Sequence, residues 1–379
     1  EFSSELNRMG ARLTKVEAKT NVWLGGDTRM RFLSDSPAHG AKKLKGSDRW
    51  DFRQRIKFTG TINDRFTFQG RISTNYGNKW GNTDSSYGST AYFDVFNITG
   101  KNVLGLDSIR VGRTALDVIG NGLIGKPMAV DGVLVNKTIG QTKFSAWTGN
   151  VKTDTNINVG SGDSGNAYQL TTTQFRYNVN KKMNIGLGYY WADEPGTSTP
   201  TGMGTLNANR GSFDGSRGYD LMATYKFGGL TLMGDYIGST LKNVVDLPKN
   251  PKAWVVQLSN GTGPGAHAVY YNAAPLVNIG KVRDSAWAVS YRSVDPGALP
   301  YNAGGFDTQA VAYPNQPYSV FTHGTENVKA WFLSYEYVLD KNIVLSLEYQ
   351  DFKLKNRSVT GLDSDDLNKC FMAKLEFFY

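Results

Sequence analysis

Arginine recurs at alternate positions early in the chain: Arg29 and Arg31, then Arg49, Arg53 and Arg55 with Lys57, then Arg65 and Arg71. A spacing of two puts such residues on one face of a β-strand. The chemistry open to a row of guanidinium groups is electrostatic rather than covalent. Each keeps its charge at any working pH, is weakly hydrated and presents a planar fork to anions. Rows on neighbouring strands would make a cationic wall, and a wet passage narrowed by such charges selects ions by field and by width. The competing reading is a wall paired structurally with Asp27, Asp51 or loop carboxylates. Five arginines on two adjacent strands outnumber the two carboxylates interleaved with them, which favours a wall that acts on solutes.

Covalent chemistry finds little support. The chain has no G-x-S-x-G elbow, no H-E-x-x-H helix and no complete phosphate loop; GLIG and GKP within 122–127 are fragments without the spacing. His39, His267 and His323 stand far apart in loop-like sequence, so neither a Ser–His pair on adjacent strands nor a zinc site is expected. The expectation is a protein that is not an enzyme and needs no cofactor or metal. The single cysteine, Cys370, excludes an intramolecular disulfide and is placed as a thiol on an inner face. The net charge of +9 would suit nucleic acid, an anionic membrane surface or an anion pathway. Arginines and aromatics fall on opposite faces of each strand, whereas a nucleic-acid surface interleaves them on one face.

The elements that hold these residues have period two. In 21–32, Val22, Leu24, Thr28, Met30 and Phe32 alternate with Asp27, Arg29 and Arg31; in 48–58, Trp50, Phe52, Ile56 and Phe58 alternate with the basic set. The end of the chain sets Phe371, Ala373, Leu375, Phe377 and Tyr379 against Cys370, Met372, Lys374, Glu376 and Phe378. Counting on this rule predicts about sixteen strands, near 22–33, 48–59, 65–75, 91–98, 105–113, 131–139, 141–150, 167–177, 183–193, 217–227, 230–241, 252–259, 284–293, 328–338, 342–353 and 368–379. Short turns and long polar loops alternate between them. That asymmetry, with Tyr189, Trp191, Tyr219, Tyr225, Phe227, Trp331, Tyr335, Tyr337 and Tyr349 near strand ends, is the pattern of an outer-membrane barrel with aromatic girdles. No run of 18 apolar residues exists, so no transmembrane helix is expected, and the mean hydropathy of −0.39 is compatible with a barrel whose lumen and loops are polar.

Three segments depart from the pattern. Leu6, Met9, Leu13 and Val16 form a short helical seam, read as the end of a coiled coil over 1–20; the barrel takes 21–379. The third long connection, 113–131, is moderately apolar and is expected to fold inward, with Asp117 and Asp131 facing the arginines across a constriction and Arg113 beside them. The connection 260–283 should be a short turn and is not, so an insertion or a miscounted hairpin lies there. The strands at 91–98 and 167–177 are poorly patterned, as though they faced a partner rather than lipid. The chain starts at Glu1 with neither an initiator Met nor a signal segment, and is read as a mature or truncated form.

The run RMGARLTKVEAKTNVWLGGDTRMRF, the R-x-R pairs at 29–31 and 53–55, VGR at 111–113 before a long third loop, and the terminal KLEFFY resemble the barrel portion of OmpM-type porins of diderm Firmicutes. The resemblance covers nearly the whole chain. It implies an all-β fold, a transmembrane antiparallel barrel of about sixteen strands preceded by a coiled-coil stub. It further implies a homotrimer in the cell outer membrane, in contact with lipid and lipopolysaccharide. In that family an S-layer-homology domain grips peptidoglycan; it is missing from these residues, so tethering cannot be assigned to them. The terminal Tyr379 departs mildly from the commoner Phe. The function expected is a general-diffusion porin passing small hydrophilic solutes with weak anion preference, lined by Arg29, Arg31, Arg49, Arg53, Arg55, Lys57, Arg71, Arg113, Asp117 and Asp131. Two alternatives stay open: a structural outer-membrane anchor, and a channel specific for sugars or phosphate. The second would need more lumen aromatics than Tyr92, Phe96 and Tyr190.

Overall fold

The alternating segments fold as strands, and each finds its partner through a neighbour in sequence. The computed structural model describes Glu5 and residues 22–36, 49–74, 78–79, 91–115, 119–125, 129–152, 167–193, 213–267, 274–300, 303, 326–359, 365–366 and 369–379. The strands are β1 (Val22–Ser36), β2 (Arg49–Thr61), β3 (Phe66–Ser73), β4 (Tyr92–Val103), β5 (Leu106–Ala115), β6 (Ala129–Ile139), β7 (Thr142–Lys152) and β8 (Ala167–Asn178). They continue as β9 (Met183–Ala192), β10 (Gly215–Phe227), β11 (Leu230–Lys242), β12 (Lys252–Ser259), β13 (Ser285–Val294), β14 (Val328–Asp340), β15 (Ile343–Leu354) and β16 (Lys369–Phe378). A two-residue piece, Asn78–Lys79, prolongs β3 and pairs with Asp51 and Phe52 of β2.

All pairings are antiparallel, and β16 returns to β1 in a register that runs from Asp27↔Phe378 to Ser36↔Lys369. The seam ends in a reciprocal pair, Gly26 N to Tyr379 O at 2.7 Å and Tyr379 N to Gly26 O at 3.1 Å. Closure leaves no strand edge unpaired, which is what a sheet crossing hydrocarbon requires. The result is a closed barrel of sixteen strands. Among the described residues no helix is long and apolar enough to cross a membrane. The helical seam expected over 1–20 lies outside the described residues, Glu5 apart.

Exposure is inverted relative to a soluble protein. Along β10 the outward positions are Tyr219, Leu221, Ala223, Tyr225 and Phe227, with Leu221 49% exposed, while Asp220 and Met222 between them are buried. The same holds on β14, where Trp331, Leu333 and Tyr335 are exposed and Ser334 and Glu336 are buried. Apolar side chains left outside and polar ones inside mark a wall that meets acyl chains. The girdle aromatics expected from sequence all point outward.

Two of the irregular strands now have a cause. In β4 the alternation breaks at a register shift between Arg71 and Ile72, where Val95 and Phe93 are their partners and Asp94 is the extra residue of a bulge. In β8 the outward positions Gln169, Thr171 and Thr173 are polar, and Thr171 Oγ1 shares a 2.8 Å hydrogen bond with Thr148 Oγ1 of β7.

The packed apolar groups lie inside the barrel on the inner faces from β6 round to β15. Ile119, Leu123 and Ile124 from the third long loop, with Ala298, Leu299 and Ala303 from the loop after β13, pack on Tyr190, Ile237, Val255, Phe332 and Phe352. The connection 260–284 is an insertion, not a miscounted hairpin. Its described residues, 260–267 and 274–284, fold back onto the inner wall at the short-turn rim, where Ala266, Leu276 and Val277 cover Ala286, Ala288, Val338 and Val344. Leu276 N donates to Glu336 Oε2 at 2.6 Å and fixes it there.

Candidate channel interior

Arg29, Arg31, Arg53, Arg55, Lys57 and Arg71 all face inward, as their parity requires. The wall they form is more evenly charged than the early sequence indicates. Arg53 Nη2 lies 3.0 Å from Asp27 Oδ1 and 3.5 Å from Glu376 Oε1. Arg55 holds Asp27 from the other side, with Nε at 2.9 and 2.8 Å from the two carboxylate oxygens. Lys374 Nζ approaches Glu376 Oε2 at 2.6 Å, and buried Glu348 stands on the same inner face of β15. Barrel closure thus brings carboxylates from the last two strands beside arginines of the first two. Arg29, Arg31 and Arg53 are buried in this lattice.

Water reaches a different set. From β9 to β16 the inward side chains are almost all buried, many of them against the described residues of the third loop, of the loop after β13 and of the connection before β13. Between β2 and β8 a set of polar inward side chains keeps contact with solvent, while others there, such as Arg53, Asn97, Leu134, Trp147, Tyr168 and Leu170, are buried: Lys57 and Lys143 are exposed, and Arg55, Gln69, Arg71, Arg110, Asn136, Gln174 and Arg176 are half-buried. The carboxylates on this side, Asp27 and Asp94, are buried against their arginines. Arg71 grips Asp94 in a fork, Nε to Oδ1 at 2.7 Å and Nη2 to Oδ2 at 2.6 Å. Among the described strand residues, the water-facing inner surface therefore carries cationic charge without an exposed inward carboxylate. Sequence reasoning missed Arg110, Lys143 and Arg176. The signal was present, because each alternates with outward apolar neighbours such as Ile109, Phe144 and Phe175.

Within the third long connection, the described residues 119–125 lie against the inner wall. Their tip docks on β8, β10 and β11. Asn121 N and Leu123 N donate to Asp235 Oδ2 at 3.0 and 3.1 Å, and Asn121 Nδ2 donates to the carbonyls of Ala223 and Gly234, each at 2.9 Å. Gly120 N donates to Gln174 Oε1 at 2.7 Å, and Arg176 donates to the Gly120 carbonyl. Glycine is required at 120, where φ is +68° and a Cβ would fall 2.3 Å from Asp220 Oδ2. Gly125 N donates to Ala303 O at 2.9 Å, tying this loop to the one after β13. The docking places residues 119–125 against β8, β10 and β11, with Arg176 of β8 held in the contact.

Three expectations are corrected. Arg113 and Asp131 form a pair, Nε to Oδ1 at 2.8 Å, but it lies on the outer wall. Arg113 is the strand partner of Phe96 and shares the parity of Val111, and Asp131 shares that of Val133; Phe96, Val111 and Val133 are all exposed to the outside. Phe96 itself is for the same reason no lumen aromatic. Tyr190 is inward but fully buried beneath the loops. Asp117 and the side chains of Arg49, Asp51 and Tyr92 lie outside what the structure describes. Cys370 is inward and buried, packed with Leu33 and Met372.

No protein-family model and no curated protein sequence matches the chain. Solved structures do. OprB of Pseudomonas putida is similar with a TM-score of 0.58 at 15% identity, covering 98% of this chain and 97% of that one. OmpT of Vibrio cholerae, an outer-membrane protein, gives 0.52 at 11% identity, covering 94% and 97%. Its trimer form gives 0.51 at 11% identity, covering 94% and 99%. In fold, then, the chain is a porin-like barrel closed by sixteen antiparallel strands, similar to those solved outer-membrane proteins.

Proposed function

We propose that the protein is a general-diffusion porin: a passive, water-filled path for small hydrophilic solutes and ions with a weak preference for anions. The observation that carries this reading is the set of solvated inward cations on β2, β3, β5, β7 and β8, beside a lumen partly filled by loops. Lys57, Arg55, Arg71, Arg110, Lys143 and Arg176 give a passing anion a favourable field along those strands, and their partly solvated setting keeps binding weak enough for release. Passive diffusion needs no covalent step, and no nucleophile–base pair or cofactor enters the reading. A sugar- or phosphate-specific channel is less well supported, because the described inward aromatics are buried under the loops rather than arrayed along the path.

The OmpM-type relation, the homotrimer and lipopolysaccharide contact belong to the same proposal. The trimer is supported by the motif order and by the trimer form of the similar Vibrio cholerae barrel. Peptidoglycan tethering would need the family's wall-binding domain. Planar-bilayer recording of the purified chain tests the reading: large open steps grouped in threes support a trimeric porin, and a silent bilayer supports the structural-anchor alternative.

A further inference from the structure

On the outer wall near the long-loop rim, β10, β11 and β12 enclose a cleft of about 260 Å³. It exists because Gly238, an outward position of β11, has no side chain between its strand partners Tyr219 and Lys252. A Cβ there would stand 2.6 Å from the Tyr219 ring. Tyr189 and Tyr219 form the apolar floor, Arg217 and Lys252 stand at the sides, and Thr240 and Asn250 close the top. The loop 243–251 is pinned over it, with Ser239 N to Pro251 O at 3.0 Å and Leu241 N to Lys249 O at 2.9 Å. Thr240 Oγ1 meets Asn250 Oδ1 at 3.3 Å. The nearby carboxylate, Asp295, is committed elsewhere: Oδ2 accepts the Lys252 backbone amide at 2.8 Å and Oδ1 holds Lys355 Nζ at 2.5 Å. Arg217 and Lys252 are exposed and make no salt bridge among the described residues.

The height of this cleft decides what can enter it. The span from Phe227 to Arg217 along β10, at ~3.4 Å per residue and ~40° of tilt, is about 26 Å, close to the height of the apolar band of such barrels. Leucine and alanine positions below Tyr219 meet acyl chains, and Tyr189, Tyr219 and Tyr236 lie at the interface. Lys252 is in register with Tyr219 through Gly238, and Arg217 stands two residues nearer the rim, so the two cations lie at the level of headgroups. We propose that this cleft binds the phosphate of an anionic glycolipid in the outer leaflet. Arg217 and Lys252 contact the phosphate oxygens, Thr240 and Asn250 contact sugar hydroxyls, and the tyrosine rings carry the first methylenes. The site rests on the outer-membrane and lipopolysaccharide part of the proposed function, which it deepens, and not on the channel reading, because it faces away from the lumen.

The test is native mass spectrometry of the full chain in detergent, titrated with diphosphoryl lipid A, its dephosphorylated analogue and inorganic phosphate. Wild type should retain the diphosphoryl lipid, and Arg217→Ala with Lys252→Ala should weaken it roughly tenfold or more. Lys329→Ala, which removes an outward cation at the same rim of β14, should not. Should the double variant fail to fold, Arg217→Gln and Lys252→Gln singly should each weaken binding, with Arg217→Lys restoring most of it. Equal retention of the dephosphorylated lipid, equal loss in Lys329→Ala, displacement of the lipid by millimolar inorganic phosphate, or unchanged binding in every cleft variant would each overturn the proposal. Single-channel conductance should be that of wild type throughout, so loss of this site is separable from loss of the channel.

Discussion

One methyl group at position 120 should unseat the loop that partly fills the lumen. Gly120 has φ of +68°, where an alanine costs about 1 kcal/mol or somewhat more. Its Cβ would also fall 2.3 Å from Asp220 Oδ2 and 2.6 Å from Asp235 Oδ1. Ordinary contact needs ~3.5 Å, and both carboxylates are anchored on strands, so the loop tip must move instead. Moving it breaks the two amide bonds to Asp235 Oδ2 and the two donated by Asn121 Nδ2. Bonds to a charged acceptor contribute ~1.5–3 kcal/mol each and neutral ones ~1 kcal/mol. Allowing for water taking over most of them, ~3 kcal/mol of docking free energy is lost, about two powers of ten in the docked-to-undocked ratio. No interstrand bond is touched, so Gly120→Ala should still fold, as judged by its heat-dependent mobility in detergent gels. Single-channel recording should then show an altered mean conductance with a much noisier open level. A folded variant with wild-type conductance and wild-type noise would refute the argument that the loop is held by these contacts.

Other outcomes follow from the same contacts. Removing 115–128 should raise single-channel conductance, and an unchanged value would remove the loop's role as a constriction; loss of Ile119, Leu123 and Ile124 from the inner cluster should lower the unfolding temperature at the same time. Asp94→Asn leaves Arg71 without its bidentate anion and should increase anion preference in reversal-potential measurements, whereas a shift toward cations would contradict the placement of Arg71 on the wet wall. At the short-turn rim, burial raises the affinity of Asp284 for its proton, but the Asn278 amide at 2.9 Å and Lys281 Nζ at 3.1 Å outweigh it and hold the carboxyl below its usual range. The stability it contributes is therefore present above the ordinary aspartate pKa of ~3.9 and is lost as pH falls through the lowered value. Unfolding temperature should fall between pH 5 and pH 3 more in wild type than in Asp284→Asn; equal slopes would contradict this. Lys281 is 71% exposed, so the ion pair itself adds little.

The barrel was largely legible from alternation, since a period of two survives in nearly every segment and a strand slipped by one residue would put arginine in lipid. Arg113 shows a misreading that parity could have prevented: it shares a face with Val111 and its partner Asp131 shares one with Val133. Other features depended on contacts distant in sequence. The Arg53–Glu376 pair joins residues 323 positions apart, so counting carboxylates near the first strands underestimated how far the arginine wall is neutralised. Which inward residues stay wet was not legible either. It depends on where the third loop, the loop after β13 and the insertion before β13 come to rest, and apolar residues in a loop do not announce which wall they will cover. The break in β4 had a local cause, a bulge around Asp94, while the irregular outer face of β8 is a polar strip.

The claim on which the rest stands is that water and anions pass along the basic side of this lumen. The reversal potential of the full chain in a planar bilayer under a KCl gradient measures it directly. The account predicts an open channel whose reversal potential has the sign of chloride preference, and a smaller value for Lys57→Glu with Arg71→Gln. A potassium-selective channel, or a folded barrel that conducts no current, would contradict it.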